Sequence, residues 1–92
     1  MSARKNRKEL RNLASEVIKQ ARAIENVSQH KLALLMGASQ PLVSAWECGK
    51  VTPGIDDIVA IETALDVEQG SLLFAIAYPN NNKNHEAEPQ LN

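Results

Sequence analysis

Between Ser28 and Gly54 the chain is punctuated so closely that only short helices with tight corners fit. Ser28 can cap a helix with its interior from Gln29 to Met36, because a serine hydroxyl accepts a free N–H of the first turn. Gly37 stops that helix and turns the chain, since glycine reaches backbone angles closed to other residues. Ser39 caps the next helix, and Pro41 falls in its first turn, where a missing N–H costs nothing. That helix runs to Cys48, and Gly49 ends it. Lys50-Val51-Thr52-Pro53-Gly54 reads as a loop.

The flanking segments are helical too. Leu10, Leu13, Ala14, Val17, Ile18, Ala21 and Ile24 recur at three- and four-residue intervals, which predicts an amphipathic helix over residues 7–25. Asn6 followed by Glu9 marks its start, and Asn26 can take the left-handed conformation that ends it. Ile55, Ile58, Val59, Ile61 and Leu65 mark a fourth helix, closed by Asp66. A fifth is predicted from Glu68 to Tyr78. Pro79 opens a polar stretch rich in asparagine, with too little apolar surface to pack. The expected organisation is a basic arm over residues 1–8, one domain over 9–78 and a disordered tail over 79–92. The expected fold class is all-α, a compact five-helix domain.

A chain of 92 residues holds one small core. With only Trp46, Phe74 and Tyr78 as aromatics, that core must be aliphatic. The single cysteine, Cys48, excludes an internal disulfide framework and fits a reducing compartment. No apolar run approaches the ~20 residues of a membrane span. No apolar signal core follows the basic N-terminus, so a cytoplasmic location and no membrane contact are expected. The net charge of −1 conceals a strong asymmetry. Residues 1–50 carry nine Lys/Arg against four Glu, whereas residues 51–92 carry one Lys against seven Asp/Glu. One basic and one acidic face follow.

The two central helices, over residues 29–36 and 40–48, lie in the basic half and follow the plan of a helix-turn-helix. In that plan the first helix braces against the phosphate backbone and the second enters the major groove by its N-terminal end. The second helix then needs a polar outer face, here Gln40 and Ser44, and an apolar inner one, here Val43 and Trp46. The run from Ser28 to Ala33, then Met36 to Lys50 and Thr52-Pro53, resembles the lambda-repressor-like (XRE) family of bacterial and phage regulators. Ile55-Asp56 through Ile61, with Ala64-Leu65-Asp66-Val67, resembles that family's fourth helix, and the likeness extends over residues 17–73.

The resemblance implies double-stranded DNA as partner and a role in transcription, as a repressor acting as a homodimer. It implies that Gln40 meets a base edge while Gln29 holds a phosphate and braces Gln40. Pro41 and Ala45 fall on base-contacting positions, with Ser39 and Ser44 beside them, and Lys50 would meet the backbone. Arg22 and Glu47 match an internal salt bridge, and Val43 and Trp46 match core positions. The chain departs from the family at Ala45, which replaces a long polar reader, at Glu62, where a small buried residue is usual, at Asp66, and at Leu34 and Leu35. These two leucines are adjacent, so one should be exposed; either the core is locally enlarged against the long first helix, or the pair contacts another protein.

Residues 72–78 are apolar around nearly the whole helix, so a face carrying Phe74 and Ile76 is expected to join two copies. The alternative function is an antitoxin, which would bind a toxin as protein partner and repress its own promoter. Arg7 and Lys8 do not help a helix N-terminus and are candidates for phosphate contact. His30 and His85 lack metal-ligand spacing, and no glycine-rich phosphate loop or nucleophile motif occurs. Asp56-Asp57 reads as charge compensation of a helix start. No enzyme activity, cofactor or metal is expected.

Overall fold

The computed structural model describes residues 6–79. The expected tail beyond Pro79 and the arm's Arg4 and Lys5 lie outside these residues. Five helices follow one another: α1 (Arg7–Ile24), α2 (Gln29–Met36), α3 (Gln40–Glu47), α4 (Ile55–Leu65) and α5 (Ser71–Ala77).

The ends of the first four helices obey local chemistry. Asn6 Oδ1 accepts the Glu9 N–H at 2.8 Å while Glu9 Oε1 accepts the Asn6 N–H at 3.0 Å, a reciprocal cap on α1. The helix takes up Arg7 and Lys8 in its first turn, so these two belong to α1. Asn26 turns the chain out of α1 at φ 59°. Ser28 Oγ accepts from Lys31 N at 3.0 Å and caps α2. Gly37, at φ 72°, lets the Ala38 N–H reach back to the Ala33 carbonyl at 2.9 Å and closes α2 within one residue. Ser39 Oγ accepts from Leu42 N at 3.3 Å and starts α3. Asp57 accepts the Gly54 N–H at 2.9 Å at the start of α4, and Asp66 leaves that helix at φ 58°.

α5 begins later than the expected Glu68. Gly70 stands at φ 92°, which breaks helical continuity, and Gln69-Gly70 form a turn closed by the Ser71 N–H on the Glu68 carbonyl at 3.0 Å. The start of α5 is held from α4: Glu62, 1% exposed, accepts the Gly70 N–H on Oε1 at 2.8 Å and the Leu72 N–H on Oε2 at 2.9 Å. A long acidic side chain at this buried position thus satisfies two N–H groups that α5 cannot satisfy itself.

α3 packs on α1 and α2, α4 packs on α2, and α5 closes the domain against α1 and α4. Ile18, Leu32, Val43, Trp46 and Ile61 are the fully buried centre. Ala14, Ala33, Ile58, Leu65, Leu72 and Ile76 surround them. Two expectations about apolar residues need correction. Leu34 and Leu35 are both open to solvent, at 64% and 50%, because Leu32 and Ala33 take the inward positions of α2. Ile76, 7% exposed, belongs to the core and not to an outer face, since it lies one turn beyond buried Leu72.

Candidate nucleic-acid interface

Val43 and Trp46 anchor α3 to the core, which turns the other side of that helix outward. Ser39, Gln40 and Pro41 are exposed at its N-terminal end, Ser44 and Ala45 are half-buried along it, and Lys50 is exposed just beyond it. Gln29, half-buried, opens α2. The structure therefore brings the seven expected site residues onto α3, the segments immediately flanking it and the start of α2. Ser39 is the cap of α3.

Gln40 and Glu47 are the first and last residues of α3 and stand seven positions apart. At ~3.6 residues per turn this is two turns along one stripe, roughly 10 Å. Gln29 lies across that stripe and joins its ends. Its Nε2 donates to Glu47 Oε1 at 2.9 Å, and its Oε1 accepts from Gln40 Nε2 at 3.3 Å. Glu47 is held from the opposite side by Arg22, whose Nε donates to Oε2 at 2.7 Å and whose Nη2 donates to Oε1 at 2.8 Å. The remaining Arg22 nitrogen, Nη1, donates to the Val27 carbonyl at 2.9 Å. The Ser15 hydroxyl donates to the Glu47 backbone carbonyl, which ties the end of α3 to α1.

The electrostatics agree with this geometry. Burial pushes the Glu47 carboxyl up, but hydrogen bonds from Arg22 and Gln29 and the guanidinium charge outweigh it and hold it below its ordinary value. The hydrogen bond to Glu47 raises Arg22 in turn. Among the described residues every buried side-chain nitrogen and oxygen has a hydrogen-bond partner.

The Arg22–Glu47 pair and the Gln29–Gln40 brace were each implied by the family resemblance; the bond joining them was not. The seven-residue spacing of Gln40 and Glu47 was the available signal. A second contact was missed because it depends on tertiary packing. A Cβ built on Gly49 would lie 3.0 Å from Asn12 Oδ1, so the turn that leads to Lys50 rests against α1. At φ 75° that position also favours glycine.

No helix among the described residues is long and apolar enough to cross a membrane. Residues 18–68 match a family model described as helix-turn-helix. No curated protein matches the chain.

Proposed function

The chain belongs to the lambda-repressor-like (XRE) helix-turn-helix family, a family of DNA-binding regulators of transcription, and on that premise we propose that it is a sequence-specific repressor that binds its operator as a homodimer. The observation that carries this reading is the outward end of α3, where exposed Gln40 is held in place by Gln29 and, behind it, by buried Glu47. A side chain that is both exposed and braced is suited to a base edge in the major groove. Pro41, Ser44 and Ala45 add contact surface beside it, where apolar contacts with thymine methyls and the shape of the duplex contribute to specificity. Lys50, and Gln29 through its second N–H, serve the phosphates.

Selection of bound duplexes from random DNA tests this function. The expected outcome is a consensus of two related half-sites about one turn, ~34 Å, apart. Its affinity should fall linearly on a log–log plot against salt, by ~0.9 unit per contacted phosphate. Failure to enrich any duplex at low salt overturns the reading.

A second reading is an antitoxin that binds a toxin and represses its own promoter. The exposed pair Leu34-Leu35 on α2 favours it, because neither leucine packs in the core. A small toxin gene next to this one, with a product that forms a complex lost on Leu34→Asp, would select it.

A further inference from the structure

An ionised carboxylate only accepts hydrogen bonds. Glu47 therefore dictates how the Gln29 amide lies: the NH2 group must face Glu47, as it does at 2.9 Å. In a planar amide the carbonyl then points the other way, toward Gln40. A carbonyl only accepts, so Gln40 must answer with its own NH2 group, as it does at 3.3 Å. Gln40 is left with its carbonyl and its second N–H facing outward in one defined order. The order originates at Arg22, which has five donors and no acceptor and which spends three of its nitrogens on Glu47 and the Val27 carbonyl.

The order matters to a base. Adenine offers a donor at N6 and an acceptor at N7, so an amide reversed in the same place sets donor against donor and acceptor against acceptor. We propose that the Arg22–Glu47 pair determines base specificity at a distance, by fixing the donor–acceptor polarity of the Gln29 and Gln40 amides. Glu47 is a positioning residue: it is 5% exposed and acts on the base only through two glutamines. The proposal rests on the reading of α3 as the base-reading helix.

Two variants and two readouts test it. Gln29→Met removes the relay and leaves the Arg22–Glu47 pair in place. Glu47→Gln lets residue 47 present either a donor or an acceptor to Gln29. Affinities are measured on the selected operator and on its single-base variants. In both proteins, discrimination at the base pair facing Gln40 should fall about three- to tenfold, the worth of one neutral hydrogen bond, beyond any uniform loss. Discrimination at the other positions should persist. The side-chain amide signals of the 15N-labelled full chain, recorded without DNA, supply the second readout. Glu47→Gln should shift the Gln40 signals as well as those of Gln29, although residue 47 does not touch Gln40.

If Gln29 merely holds a phosphate, Gln29→Met weakens every sequence alike, and that result overturns the proposal. Gln40 amide signals unmoved by Glu47→Gln do so as well. Should Glu47→Gln fail to fold, Gln29→Met on the operator variants decides. A wild type that binds no duplex defeats the DNA reading and the proposal together, whereas a wild type that binds with discrimination intact in both variants defeats the proposal alone.

Discussion

Glu47 is the side chain on which the site and the stability of the domain meet. It is buried, and both of its oxygens are taken by Arg22, which itself is mostly covered. Removing one partner leaves the other charge without compensation, so Arg22→Ala and Glu47→Ala should each lose about 3 kcal/mol in denaturant melts. Unchanged midpoints in both would mean that the pair contributes no more than an exposed one. The pH dependence follows from the lowered carboxyl of Glu47. A folded-state value below the unfolded one contributes stability that is fully present above the ordinary carboxylate value of 4.5 and is lost as pH falls through the folded value. The stability gap between wild type and Glu47→Ala should thus narrow on acidification below that value, and a gap that widens would contradict the sign. At the exposed end of the same chain of bonds, Gln40→Ala should cost about 1–3 kcal/mol on the operator and relax preference at one base pair per half-site. Lys50→Ala should instead weaken all sequences alike and lower the salt slope by about one. An exchange of these two behaviours in binding titrations would show that α3 is placed wrongly in the groove.

α5 depends on α4 for its beginning. It is seven residues long, too short to persist unaided, and its capping group comes from Glu62 of the preceding helix. Glu62→Gln keeps the length of the side chain but turns an NH2 group toward one of the two N–H groups. The expected cost is about 1–3 kcal/mol, concentrated at α5. Hydrogen exchange should quicken at Leu72 and along α5 while amides of α1 to α3 keep their protection. Equal quickening throughout would mean that Glu62 supports the fold as a whole. The capping of α1, α2 and α3 was legible in the sequence because each cap lies within three residues of the N–H it serves. The start of α5 was not, because its cap lies ten residues upstream of Leu72 and is brought there only by the turn between the helices.

At the scale of the whole molecule, α5 turns an apolar ridge outward. Leu72 and Ile76 face the core, whereas Leu73, Phe74 and Tyr78 face solvent, and the Phe74 and Tyr78 rings lie together with centroids 4.9 Å apart. We propose that a second copy packs on this ridge, which would hide the apolar rings and pair two reading helices across one DNA turn. Phe74→Asp should then weaken self-association and operator binding together while the melt stays close to wild type, since Phe74 is 50% exposed. Sedimentation that finds a monomer at high concentration, free and on DNA, would refute it. Ile76→Asp is unsuitable for this purpose, because it places a charge in the core.

The five helices, the caps of α1, α2 and α3, the turns at Gly37 and Gly49 and the buried Val43–Trp46 side of α3 were determined by the sequence itself. Each depends on periodicity or on hydrogen bonds spanning three or four residues, and such interactions form wherever the chain goes. The tertiary structure decided the matters that need two distant segments at one place. It put Gln29 between Gln40 and Glu47, Glu62 under the start of α5, and Asn12 against Gly49. It also left both Leu34 and Leu35 outside, because one helix can turn only part of its surface to a neighbour and the adjacent pair Leu32-Ala33 had already filled that part of α2.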